Sequence, residues 1–213
     1  MKLHSLNSLS PSQVFARILN SWVAPILASH GWGRKKQSFF KKQGDSWGII
    51  NFQKSSKTSK DEIVFTINLA VISGTLQKFF SARTIESPNL TDSHWRCRIG
   101  ALLAENLDKW WVISNATSLE ELKNELSSCL THVAVPQVEK YLEDSALRDI
   151  WLKEYSPGLT EFQRLRYLSV LLKTVGPIDS LQLTLQRLKQ LSETDSDPSS
   201  FTAFQDKIDR ISL

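Results

Sequence analysis

The chain has 213 residues, 41% hydrophobic, 23% charged and 9% aromatic, a globular composition that excludes a disordered, collagen-like or coiled-coil polypeptide. Its net charge of +4 is unevenly spread: residues 1–60 hold 10 Lys and Arg against the single acid Asp45, whereas residues 61–213 hold 16 against 21 acids. No run approaches the ~20 apolar residues of a membrane span, and no partner in a membrane is expected.

The remaining composition narrows the setting. Met1 to Gln13 carries one Lys and no apolar run of signal-peptide length. Cys97 and Cys129 have neither CxxC nor knot spacing, which argues against a disulfide scaffold and for a reducing cytoplasm. His4, His30, His94 and His132 lack metal-ligand spacing, so neither metal nor cofactor is expected.

Ser10 and Pro11 open the first helix, with Val14, Phe15, Ile18, Leu19, Trp22, Ile26 and Leu27 as its apolar stripe. Gly31 stops it in the left-handed conformation, and Pro25 predicts a kinked or irregular last turn. The period then changes. Ser38 to Gln43, the Gly44-Asp45 turn and Ser46 to Gln53 read as a β-hairpin, and the polar stretch Lys54 to Asp61 as a mobile loop. Glu62 to Ile72, rich in β-branched residues, is the third strand. Thr75 to Ser81 gives a turn or two of helix, Glu86 to Ser93 a loop, and His94 to Ile99 and Lys109 to Ser114 two further strands.

Helices follow. Ser118 and the early acids Glu120 and Glu121 start one that runs toward Pro136 and continues past it through Val138, Tyr141 and Leu142. Ala146 to Tyr155, Thr160 to Val175, Ser180 to Leu191 and Phe201 to Ile211 follow, with Thr194 to Ser200 as an acidic linker. Strands grouped before helices give an α+β class: an N-terminal helix, an antiparallel sheet of about five strands and a C-terminal helical subdomain. The predicted division is an α+β domain over 1–145 and, over 146–213, helices packed on it through their Leu stripes.

Within this order stands a series of motifs: Ala24-Pro25 to Gly31-Trp32, Ser38-Phe39-Phe40, Trp47 to Ser55, Phe65 to Leu69, Arg98-Ile99-Gly100 and Asp108-Lys109-Trp110-Trp111. Over about residues 10–145 the series resembles the uncharacterised bacterial domain-of-unknown-function family numbered four-three-zero-four. Trp32 stands where the family usually has Phe. The resemblance implies a bacterial cytoplasmic protein and no established activity.

Alternation along the strands gives the candidate surface. With the apolar faces turned to the helices, a second face carries Trp47, Asn51, Gln53, Thr66, Asn68, Arg96 and Arg98. Polar side chains beside a Trp and two Arg suit recognition of a protein partner, although one face of an antiparallel sheet is commonly polar through solvation alone. An alternative uses the basic hairpin of residues 34–60: Arg34, Lys35, Lys36, Lys41, Lys42 and Lys54, interleaved with Trp32, Phe39, Phe40 and Trp47, could follow phosphates and stack bases. Lys on edge strands also discourages aggregation without any ligand.

Catalytic signatures are absent. Gly31-Trp32-Gly33 lacks a third Gly and a preceding strand, and no GxSxG, P-loop or HExxH occurs. His94 beside Arg96 and Arg98 is the nearest approach to a site, and a lone His at a strand start is more often structural. Of the adjacent Trp110 and Trp111, alternation places one in the core and the other at the rim. The sequence therefore points to a non-catalytic cytoplasmic module that engages a protein through the polar sheet face and an aromatic rim. Nucleic-acid binding is the alternative, and an unrecognised small hydrolase or nuclease a third reading.

Overall fold

The computed structural model describes residues 9–81, 85–153, 156, 158–194 and 198–211. Met1 to Ser8, with His4, and the centre of the expected linker, residues 195–197, lie outside them. Helix α1 (Pro11–Ile18) begins as its sequence predicts. Ser10 Oγ accepts from the Gln13 amide at 3.3 Å while Gln13 Oε1 accepts from the Ser10 amide at 2.9 Å, a reciprocal capping box.

The irregularity expected at Pro25 lies ahead of it. A π turn, Leu19–Val23, separates α1 from α2 (Ala24–Ser29), and Gly31 follows with φ of +80°. The same sequence of events recurs after α4 (Leu119–Cys129): a π turn, Leu130–Ala134, precedes α5 (Val135–Tyr141), whose second residue is Pro136. A proline ring clashes with the carbonyl four residues earlier and lacks an N–H. A widened turn at that carbonyl relieves both problems without ending the helix.

The described strands are β1 (Gly33–Lys35), β2 (Ser38–Gln43), β3 (Ser46–Lys54), β4 (Ile63–Ile72), β5 (Trp95–Arg98) and β6 (Trp111–Ile113). They form one antiparallel sheet in the order β1-β2-β3-β4-β5, with β6 also on β4 in the register Ile63↔Ile113 and Phe65↔Trp111. The α+β reading thus holds, with one strand more than expected. Strand β1 has three residues, all exposed, and is defined by its pairing with β2 (Gly33↔Phe40, Lys35↔Ser38), so it has no hydrophobic pattern to read.

Beyond the sheet lie α3 (Gly74–Phe80), α6 (Asp144–Lys153), α7 (Glu161–Val175), α8 (Asp179–Thr194) and α9 (Pro198–Asp209). Two compact units divide the chain. The first takes residues 1–42, 47–70 and 96–139; the second takes 43–46, 71–95 and 140–213. The unit that holds the C-terminal helices therefore also includes the β2–β3 turn, α3 and the start of β5. Among the described residues no helix is long and apolar enough to cross a membrane.

The first unit has an aromatic core. Phe65 of β4 meets Phe15 of α1 edge-on at 5.1 Å, lies 6.2 Å from Phe52 and stacks on Trp111 at 5.5 Å. In the second unit α7 packs against α6, α8, α3 and α9. There the Arg166 guanidinium lies 5.1 Å from both the Phe80 and Phe204 rings, and burial holds its pKa down.

His94 belongs to the second unit's interior. It is buried, its ring meets Tyr167 edge-on at 5.1 Å, and its Nδ1 accepts from the Ser73 amide at 3.1 Å. The Ser73 hydroxyl in turn donates to Asp144 Oδ1 at 2.5 Å. An Nδ1 that accepts is unprotonated, and burial pushes the His94 pKa from its ordinary 6.5 to about 4. Below pH 6.5 the unfolded chain binds a proton that the folded ring refuses, so this contribution is complete above pH 6.5 and declines toward pH 4. Between pH 7 and pH 5 the decline is worth about 2 kcal/mol. Urea denaturation of His94→Asn at the two pH values should show a loss smaller by about that amount than in the parent chain.

Candidate functional site

Strands β3 and β4 are neighbours, and the residues of each that face away from Phe52 and Phe65 share one side of the sheet. There the polar side chains are joined. Asn68 Nδ2 on β4 donates to Gln53 Oε1 at 2.8 Å and to Asn51 Oδ1 at 3.3 Å, both on β3. Asn51 Nδ2 donates onward to Ser38 Oγ on β2 at 2.8 Å. Three of the seven residues expected on this face (Asn51, Gln53 and Asn68) thus form, with Ser38, one ladder across three strands.

This face is not uniformly open. Ile49 and Ala70, which share it, are 1% and 0% exposed, and Thr66 is fully buried beneath the chain, its hydroxyl donating to the Lys109 carbonyl at 2.7 Å. The covering segment comes from the excursion between β5 and β6. It begins at Gly100, where a Cβ would lie 2.0 Å from the Leu107 carbonyl oxygen and 2.6 Å from the Lys109 nitrogen. Only a residue without a side chain lets 107–109 pass so close.

That approach builds a second cluster. Arg98 Nη1 pairs with Asp108 Oδ2 at 2.6 Å, the Trp110 indole N–H donates to the same oxygen at 2.9 Å, and the guanidinium lies 5.1 Å from the Trp110 ring. Arg98, expected on the recognition face, is therefore held by its own chain. Its ion pair is about half exposed, which limits it to roughly 0–1 kcal/mol. Trp110 is half-buried, whereas Trp111 is in the core, as strand alternation predicts. Trp47 is half-buried with the Lys42 ammonium 5.4 Å from its ring, and Arg96 is exposed.

The basic hairpin is divided. Lys41 turns toward α5, donating to Glu139 Oε1 at 2.7 Å and the His30 carbonyl at 2.9 Å, whereas Lys42 lies on the opposite side of β2 over Trp47. Arg34 donates through Nε to the Lys36 carbonyl at 2.8 Å and through Nη1 to Asn20 Oδ1, and lies 5.4 Å from the Phe39 ring. Lys54 sits 4.8 Å from the Phe15 ring, and Lys35 and Lys36 are exposed.

Neither cysteine is disulfide-bonded; burial pushes the Cys97 thiol up to about 12 and raises that of Cys129 as well. Both are poor nucleophiles at neutral pH. Among the described residues no group of three or more His, Cys, Asp or Glu could hold a metal ion.

Residues 23–140 match the family described as Domain of unknown function (DUF4304). The chain belongs to that family. No curated protein and no solved structure matches it. Most of the motifs that carry the DUF4304 resemblance are one another's neighbours in space: Arg98 and Gly100 meet Asp108 to Trp110, and Asn51 meets Asn68. Trp32 is buried and donates its indole N–H to Glu139 at 3.2 Å.

Asp108 and Glu139 are not among the expected site residues, and Trp110 is expected only as one of two candidates for the rim. The available signal is a Gly at the start of an eleven-residue stretch, Gly100 to Trp110, whose far end carries an acid and a Trp, the pattern of a close return. Gly100→Ala should lower stability by about 1–3 kcal/mol in urea denaturation, as overpacking against backbone does. Gly33→Ala, whose Cβ would meet only the Phe40 carbonyl oxygen at 3.9 Å, should cost much less.

Proposed function

We propose that this DUF4304 protein is a non-catalytic cytoplasmic module that binds a protein partner on the open sheet face of β2, β3 and β4, with Trp47 and Arg96 at its margins. The observation that carries the reading is the state of the amide ladder. Asn68 Nδ2 is spent on Asn51 and Gln53, which leaves Asn68 Oδ1 and Gln53 Nε2 with no partner among the described residues. An acceptor beside a donor, both fixed in place, is the complement of a peptide group.

Fixing also lowers the cost of binding, because side chains already ordered lose little entropy on contact. Neutral amides suit peptide groups better than phosphates. A phosphate track needs cations along one side, and Lys41 and Lys42 turn to opposite faces of their strand. Thiols raised by burial favour a binding role over nucleophilic catalysis by either cysteine.

A photo-crosslinking amino acid at Phe40, half-buried on the same side of β2 as Ser38, in the full chain expressed in its native host, tests the reading. Expected is a discrete protein adduct that survives nuclease treatment, is absent with the crosslinker at Leu183, and falls at least about tenfold with Asn68→Ala while the melting temperature holds within a few degrees. An adduct destroyed by nuclease, or one unaffected by Asn68→Ala, would overturn it.

A further inference from the structure

Strands β1 to β4 hold no Asp or Glu. On the side of the amide ladder they carry lysines instead. Ser38, Phe40 and Lys42 alternate along that side of β2, with Ser38 against Asn51 and Lys42 against Trp47. Lys35 of β1 stands opposite Ser38 and so shares the side. Lys42 is exposed, lies 5.4 Å from the Trp47 ring, and belongs to none of the ion pairs among the described residues. Asp108, at the border of the face, is already paired with Arg98. The face therefore offers positive charge with no carboxylate of its own to meet it.

Between the polar rung at Ser38 and the ammonium at Lys42 stands Phe40, half-buried. Its neighbour on β1 is Gly33, which is exposed. A Cβ at Gly33 would meet nothing nearer than the Phe40 carbonyl oxygen at 3.9 Å, and Gly33 is not among the residues with positive φ. Neither backbone conformation nor internal packing calls for glycine here. A strand glycine of that kind marks a place where another chain comes close. It leaves the flank of the Phe40 ring open to an incoming side chain.

We propose that the partner of this face is an extended acidic segment. One of its peptide groups meets Asn68 and Gln53, an aliphatic side chain lies beside Phe40, and two residues farther on a carboxylate reaches Lys42. The proposal rests on the sheet-face reading and names its ligand. Phe40 is about 7 Å along the strand from both Ser38 and Lys42, the spacing of every second side chain in an extended peptide. A phosphate chain fits less well, because a ring and neutral amides stand where it would need further cations.

A phage-displayed decapeptide library, panned on the full chain and on Lys42→Glu, Gly33→Val and Asn68→Ala, tests the assignment. The parent chain should select Asp or Glu two positions from Leu, Ile or Val. Lys42→Glu should select Lys or Arg at the acidic position. Gly33→Val, a substitution that suits a strand, should keep the melting temperature within a few degrees yet weaken a parent-selected peptide about threefold or more, and Asn68→Ala should weaken it at least about tenfold. Peptides that depend on Asn68 but show no acidic position, one unchanged by Lys42→Glu, or full affinity for Gly33→Val would overturn the acidic segment and leave the sheet-face reading standing. No selection on the parent chain, or peptides that bind Asn68→Ala equally well, would overturn both. Displacement of a selected peptide by an equal concentration of oligothymidine at about 150 mM salt would assign the face to nucleic acid and likewise overturn both.

Discussion

Strand β4 has almost no solvent face, and the first unit is arranged around that constraint. Of its residues only Val64 and Asn68 escape full burial. Phe65 turns one side toward α1 and Trp111, while Thr66 on the other lies beneath the 107–109 return. A strand buried on both sides must be roofed on both, and here the second roof is a segment of backbone rather than a helix. Gly100 makes that roof possible, since any Cβ at this position would collide with the returning carbonyl and amide.

The polar face is what the roof leaves uncovered. Where the excursion crosses, Thr66 on that side of β4 is sealed in; one alternate residue farther along, Asn68 is half-buried and bonded to its neighbours on β3. The cluster of Arg98, Asp108 and Trp110 pins the excursion at its border. The family motifs thus act mainly by holding one another. Glu139 does the same at another edge, joining the indole of Trp32 to the ammonium of Lys41 through one carboxylate oxygen.

Local signals were legible from sequence and long-range ones were not. The capping box at Ser10, the Gly44 turn and the Ser46–Lys54 strand follow from residues a few positions apart, and each stands close to where it was expected. Asn51, Gln53 and Asn68 were placed on one face by alternation alone. Alternation could not show that Thr66 on that same face would be covered, because its cover comes from Lys109, 43 positions later. Arg98 was assigned to a partner for the same reason: its own partner lies across a turn that only the close pass at Gly100 brings back. Pro25 foretells an irregular turn in the first helix, but the place and π form of both turns are not legible, because both apolar stripes run through them unbroken and only the prolines mark the fault.

Native-state hydrogen exchange on β4 tests the central dependence most directly. With both sides of the strand covered, the amides of Phe65 to Leu69 should be the slowest in the first unit and should open only when that unit unfolds as a whole, with the same free energy and the same denaturant dependence as global unfolding. Exchange of these amides through a smaller, denaturant-independent opening while α1 and α4 stay protected would show that the 107–109 return does not seal the strand, and would contradict the dependence of the polar face on it.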